Sequence, residues 1–217
     1  SLTADPVFSG NNTFSGDGYN ALGIVGETIS VNCTLPRRAV AGNPNIVYVL
    51  VEDLTLGPLS TLTIEPGVVI KFRMGYQTIF VNGGLNAVGT TDSMIVFTSK
   101  HDDAHGGDTN NNGSGTSPQA GDWEKIQLNA GSSGILNYCV AAYGGDLSNQ
   151  YGAIEVVNTS PTISNCTILG NSYGIKCGGT SNPTISNNTF AGNTQTPVLL
   201  SLTADPVFSG NNTFSGD

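Results

Sequence analysis

Positive charge is scarce in this chain: Lys and Arg together number 7 against 16 Asp and Glu, leaving a net charge of −9. No basic patch is available, which argues against nucleic acid or an anionic membrane surface as partner. Long apolar runs are missing too. Stretches such as Ile46 to Val51 fall far short of the roughly 20 residues a membrane-spanning helix needs, so no membrane insertion is expected. No segment keeps the spacing of an amphipathic helix, which excludes a helical bundle. There are only two histidines and four cysteines, and neither His stands in a Cys/His arrangement that would activate a thiol nucleophile. The chain opens at Ser1 without an initiator Met or a signal peptide, so the expectation is an internal segment whose export is encoded elsewhere.

What the sequence does have is repetition. Residues 1–17, SLTADPVFSGNNTFSGD, recur unchanged as residues 201–217, so residues 1–200 read as one tandem repeat and 201–217 as the start of the next, within a single segment 1–217. A shorter period lies inside the long one. At an offset of 22, Tyr151-Gly152 meets Tyr173-Gly174, Pro161 to Asn165 meets Pro183 to Asn187, Thr167 meets Thr189, and Gly170-Asn171 meets Gly192-Asn193. Asp205 to Asp217 continues the pattern after one inserted residue.

Short runs of Ile, Val, Thr and Phe alternate apolar with polar residues and are broken by Gly, Asn, Asp and Pro, so each run reads as a strand and each break as a turn. Leu62-Thr63-Ile64, Glu65-Pro66-Gly67 and Val68 to Phe72 show the grammar: Leu62, Ile64, Ile70 and Phe72 face in, Pro-Gly turns, and Lys71 faces out. Ile79 to Val81, Ile95 to Phe97 and Ile126 to Leu128 repeat it. A single coil of about 22 residues cannot bury its own apolar face, so coils must stack with equivalent positions in columns.

Asn165, Asn187 and Asn211 form the expected structural column, beside Asn188 and Asn212, where the chain bends and Asn tolerates a left-handed backbone. Pro-Thr-Ile-Ser-Asn-x-Thr followed by Gly-Asn resembles the coil of right-handed parallel β-helices, the pectate-lyase-like architecture. LTIEPGVVIKF at residues 62–72, Gly89-Thr90, Val96 to Ser99 and Gly121-Asp122-Trp123 are similar to tandem β-helical repeat proteins of bacterial surfaces and secretions. The resemblance implies an all-β right-handed parallel β-helix with one long inserted loop, and an extracellular or cell-surface location. It is specific for fold and poor for activity.

Four features are candidates for chemistry. Cys139 and Cys166 occupy similar places about one coil apart, close enough for a disulfide; the alternative for all four cysteines is small thiols filling interior slots. Residues 99–122 depart from the coil grammar and form the inserted loop, where Asp108, Asn110, Asn112 and Ser114 match the opening of a calcium loop, with Asp102, Asp103 or Asp122 to add charge. Gln119 stands where that loop expects Glu. A calcium ion would pin the loop; no cofactor is otherwise required. A zinc set of His101, Asp103 and His105 lacks a fourth ligand. Asn-x-Ser/Thr triplets at Asn11, Asn32, Asn112, Asn158, Asn165, Asn187 and Asn211 mostly follow from the coil, and Asn112 is the loop residue suited to glycosylation.

Glu65, Glu124 and Glu155 stand singly, as outward charges on a solenoid face, so the paired carboxylates of a polysaccharide lyase or hydrolase are not evident and catalysis is not expected. Tyr19, Tyr76, Tyr138, Tyr143, Tyr151, Tyr173 and Trp123 would serve a carbohydrate-binding module if they lined one outer side, with Tyr151 stacked on Tyr173. The function expected first is a structural repeat of a long extracellular fibre, filament or adhesin stalk, whose partners are identical repeats joined head to tail.

Overall fold

A computed structural model describes residues 4, 6–10 and 12–216; the parts of the 17-residue repeat at 1–3, 5, 11 and 217, Asn11 included, lie outside them. The chain winds through three parallel sheets in turn. The first holds eight strands: β1 Leu22–Ile24, β4 Tyr48–Leu50, β7 Val69–Phe72, β10 Ile95–Ser99, β13 Cys139–Ala142, β16 Thr167–Leu169, β19 Thr189–Ala191 and β22 Thr213–Ser215. The second holds seven: β2 Glu27–Ile29, β5 Leu54–Leu56, β8 Thr78–Val81, β11 Lys125–Leu128, β14 Gly152–Val157, β17 Tyr173–Gly178 and β20 Thr196–Leu200. The third also holds seven: β3 Cys33–Leu35, β6 Thr61–Ile64, β9 Gly84–Val88, β12 Ser133–Asn137, β15 Thr162–Ser164, β18 Thr184–Ser186 and β21 Val207–Ser209. No helix occurs among the described residues.

Successive coils lie in register, so inward residues form columns. In the first sheet Ile70, Phe97, Ala141, Ile168, Phe190 and Phe214 stack in order. In the third, Ala87, Leu136, Ile163, Ile185 and Phe208 do the same. Cys177 takes an aliphatic slot between Val156 and Leu200. These columns are the core, and their apolar area is what drives stacking.

Coil length varies about a mean near 26 residues. The 22-residue spacing holds for Thr167 on Thr189, but Leu22 pairs with Tyr48 and Val140 with Thr167, at longer offsets. Strand spacing is fixed by the backbone ladder, so extra residues go into turns. The same rule displaces Tyr151: Gly152, not Tyr151, lies opposite Tyr173, because Val157 pairs with Gly178 while Thr162 pairs with Thr184, which leaves one residue more in the later turn. Tyr151 and Tyr173 therefore do not stack.

The Asn column also shifts at its end. Asn165 and Asn187 have φ of 53° and 56°, and Ser186 pairs with Ser209, so the left-handed place in the last coil belongs to Gly210 at 63° rather than to Asn211. Asn211 instead donates its backbone N–H to Asn187 Oδ1 at 2.9 Å.

Ile163→Asp or Ile185→Asp places a charge in a column where both native side chains are fully buried, and is expected to cost about 3 kcal/mol or more. Denaturant unfolding of either variant with an unchanged midpoint would contradict the column assignment.

Candidate functional site

The inserted segment is the one large departure from the coil, and it folds back onto the solenoid. It runs from the end of β10 at Ser99 to the start of β11 at Lys125, and covers the outer face of the first sheet. There Val47, Val69, Val96, Val140 and Ala142 form a second buried cluster outside the main core. Gly106 sits against it with φ of 77°; a Cβ there would lie 2.3 Å from Val47 Cγ2, so only glycine permits the approach.

Lys71 corrects the expected outward charge. It does point away from the core, as alternation requires, but the insertion covers it fully and Nζ donates to Gly107 O at 2.8 Å. Burial lowers its ammonium to about 8, against the opposing pull of Asp102, Asp103 and Asp108.

Two Asp–His contacts anchor the rest of the insertion. Asp102 Oδ2 lies 2.7 Å from His105 Nδ1 and accepts from Thr98 Oγ1 at 2.7 Å, while Oδ1 accepts from Ala104 N at 3.1 Å. Burial pushes this carboxyl up, but the bonds from His105 and Thr98 and the His105 charge hold it below its ordinary value. Asp122 Oδ2 accepts from Ser99 Oγ at 2.6 Å and Gln119 N at 3.1 Å, with His101 Nδ1 at 3.5 Å. His101 and His105 thus face different carboxylates, not a shared ligand set with Asp103, whose Oδ1 is buried without a hydrogen-bond partner.

The calcium-like run is already internally bonded. Asp108 accepts from Asn112 N at 3.1 Å and Gly113 N at 2.7 Å, and the Asn110 and Asn112 amides donate to Thr116 Oγ1 at 3.1 and 2.9 Å. Ser114 and Asn112 are exposed at the tip. Among the described residues no group of three or more His, Cys, Asp or Glu is placed to hold a metal.

Cys139 and Cys166 are in-register neighbours and both are free thiols. A hydrogen bond from Cys166, then burial, raises the Cys139 thiol well above its usual range, and burial pushes Cys177 up to about 12. Such thiols are poor nucleophiles.

Two corrections concern the outer faces. Trp123 is fully buried, stacked on Phe72 at 4.1 Å with Nε1 donating to Ala142 O, and Tyr173 is buried as well, so neither belongs to an outward aromatic row. Glu155 is not an isolated outward charge: it is buried between Lys125 Nζ at 3.1 Å and Lys176 Nζ at 3.2 Å, and Tyr151 caps the group with Lys125 3.2 Å from its ring centre. Glu124 also has company that sequence did not reveal. Thr78 Oγ1 donates to Glu124 Oε2 at 2.7 Å and Thr78 N to Asp53 Oδ1 at 2.8 Å, bringing two carboxylates from different coils onto one residue. Neither lines any of the pockets at the N-terminal end, on the outer third sheet, beside Val40 to Pro44 or beneath Asn45, and no pocket among these has two carboxylates in its wall.

Polar ladders at the Asn positions that the sequence spacing aligned lie in the turns. Asn171 donates from backbone N and Nδ2 to Asn193 Oδ1 at 3.2 and 3.0 Å, and Asn188 does the same to Asn212 at 3.0 and 3.2 Å. The repeated Gly-Asn pairs mark the first ladder and the Asn-Asn pairs the second.

Three parallel sheets wound by one chain around stacked apolar columns define a β-solenoid, and within that class the comparison with family models is specific. The model described as right-handed β-helix region matches residues 108–216, and the chain belongs to that family. No curated protein and no solved structure matches the chain.

Gly106→Ala is expected to undock residues 100–110 at a cost of about 1–3 kcal/mol, leaving the coils folded. Hydrogen exchange would show faster exchange confined to that stretch; unchanged protection would contradict the packing. Lys71 gives a pH signature: with its folded value lowered to about 8 from 10.5, the unfolded chain binds more protons in between, so stability contributed by this site rises with pH across that window. Melting temperatures of wild type and Lys71→Met from pH 7 to 11 should therefore diverge in favour of wild type between about 8 and 10.5, and a constant difference would refute the buried ammonium.

Proposed function

We propose that the chain is a structural repeat unit of a long extracellular or cell-surface shaft, built from head-to-tail copies and without catalysis. The observation that carries this reading is the unchanged return of residues 1–17 at 201–217. Phe208 and Phe214 lie at 47% and 54% exposure above Ile185 and Phe190, which are fully buried. A heterologous contact between identical units extends without closing.

The right-handed β-helix occurs in both enzymes and structural proteins, so the absence of catalysis rests on the sites. The Asp53–Glu124 pair orders a turn around Thr78 and borders no pocket named above, and the raised cysteines offer no nucleophile. The negative charge suits a surface that repels its neighbours laterally while its ends associate.

Electron microscopy of chains carrying several repeats tests the proposal. Rods whose length grows by about 34 Å per repeat are expected, from about 7 turns at about 4.8 Å each. Compact particles whose length does not grow with repeat number would overturn it. Binding on a glycan array by the single repeat would favour the carbohydrate-binding alternative instead.

A further inference from the structure

The same 17-residue sequence occupies two different settings in this chain. The later copy is part of the solenoid. Val207–Ser209 pairs with Thr184–Ser186 and Thr213–Ser215 with Thr189–Ala191. Asn188 N donates to Asn212 Oδ1 at 3.0 Å, Asn212 Nδ2 to Ile185 O at 3.0 Å and Thr213 N to Asn188 O at 2.8 Å, while Phe214 stacks on Phe190 at 5.0 Å.

The described residues of the earlier copy form no strand. The rung it would need is taken: in the first sheet, Leu22–Ile24 already lies against Tyr48–Leu50. Thr13 to Ser15 cannot share that sheet one rung further out through the few residues before Leu22, because a parallel return requires a crossover of about a dozen residues or more. Pro6 O is held instead by Arg38 Nη1 at 2.8 Å, beside the Phe8 ring.

Yet the described residues Ser9, Gly10, Asn12 and Gly16 keep local features of the later copy. Asn12 Nδ2 donates to Ser9 O at 3.1 Å, as Asn212 Nδ2 does to Ser209 O at 3.0 Å. Gly10 and Gly210 have φ of 75° and 63°, Gly16 and Gly216 of 72° and 69°. Gly10 and Asn12 thus already hold the local geometry of Gly210 and Asn212, which lowers the ordering cost of docking.

We propose that residues 6–16 are a docking element whose acceptor is the β18–β19 edge of another copy of this chain, where they take the place that residues 206–216 hold within the chain. The inference deepens the shaft reading by naming its joint. The 17-residue segment completes the coil that precedes it in an array, and the solenoid block runs from about residue 18 to 217. The segment is recognised by Asn187, which accepts from its backbone, by Asn188, which donates to its second Asn, and by Phe190, which stacks on its Phe.

Identical substitutions in the two copies test this in the full chain. Asn212→Ala/Phe214→Ala should loosen the resident segment, expose the amides of Thr184–Ser186 and Thr189–Ala191 to hydrogen exchange, and shift sedimentation from monomer to larger species. Asn12→Ala/Phe14→Ala should change neither. All four substitutions together should restore the monomer while the edge stays open, and a labelled peptide of residues 1–17 should bind the first variant and not the wild type. Should the double variant fail to fold, Phe214→Ala alone, which leaves the Asn ladder in place, carries the same comparison. An open edge that neither self-associates nor takes the peptide would overturn the proposal, as would assembly that persists with all four substitutions. Multi-repeat chains that form no rods would remove the shaft while leaving this exchange intact; rods without the exchange would remove only the docking assignment.

Discussion

In-register stacking of parallel coils is the constraint on which the rest of this structure depends. Once Ile163 lies over Leu136 and under Ile185, every other position in those coils is fixed to one neighbour above and one below. Apolar columns then become continuous, and polar residues at the bends become ladders, as with Asn171 on Asn193 and Asn188 on Asn212. Left-handed residues stack as well: Tyr138, Asn165, Asn187 and Gly210 succeed one another at a single corner. A bulky Tyr in that conformation is costly alone, and the ladder on both sides is what holds it there. Because the strands cannot slip, differences in coil length appear only in turns.

The insertion shows what happens where the chain leaves that scheme. Its polar composition suits a solvated loop, yet it buries Val47, Val69, Val96 and the aliphatic stem of Lys71 against the outer face of the first sheet. Glycine at 106 allows the approach, Lys71 meets Gly107 O, and Asp102 and Asp122 each draw Ser or Thr hydroxyls and a His ring toward the sheet edge. The result is a second small core on one side of the solenoid. Asp108, Asn110 and Asn112 form the rim of this structure, where the Asp108 carboxylate caps backbone N–H groups and both Asn amides donate to Thr116.

Membership of the right-handed β-helix family fixes the architecture and leaves activity open, so function must be argued from ends and faces. The lateral faces carry ion-paired groups such as Glu155 between two lysines. The last coil carries the open column ends Phe208 and Phe214.

Much of the fold was legible because alternation and turn chemistry are local properties of the chain. Leu62, Ile64, Ile70 and Phe72 could be placed inward from sequence, and all four are buried. Asn165 and Asn187 announced a left-handed corner, and both have positive φ. Neighbouring cysteines at 139 and 166 followed from coil spacing. What the sequence could not supply was the path of long-range backbone between coils. One residue more between β17 and β18 separated Tyr151 from Tyr173, and one more between β21 and β22 moved the corner from Asn211 to Gly210, because register is decided by the ladder and not by aligned letters. Lys71, Glu155 and Trp123 depend on what lies across from them, and segments distant in sequence supply those partners. By itself the sequence determined which residues face in, where the chain bends and that coils must stack; only the tertiary structure decided which outward residues are covered, since burial of an outer face depends on where an insertion lands.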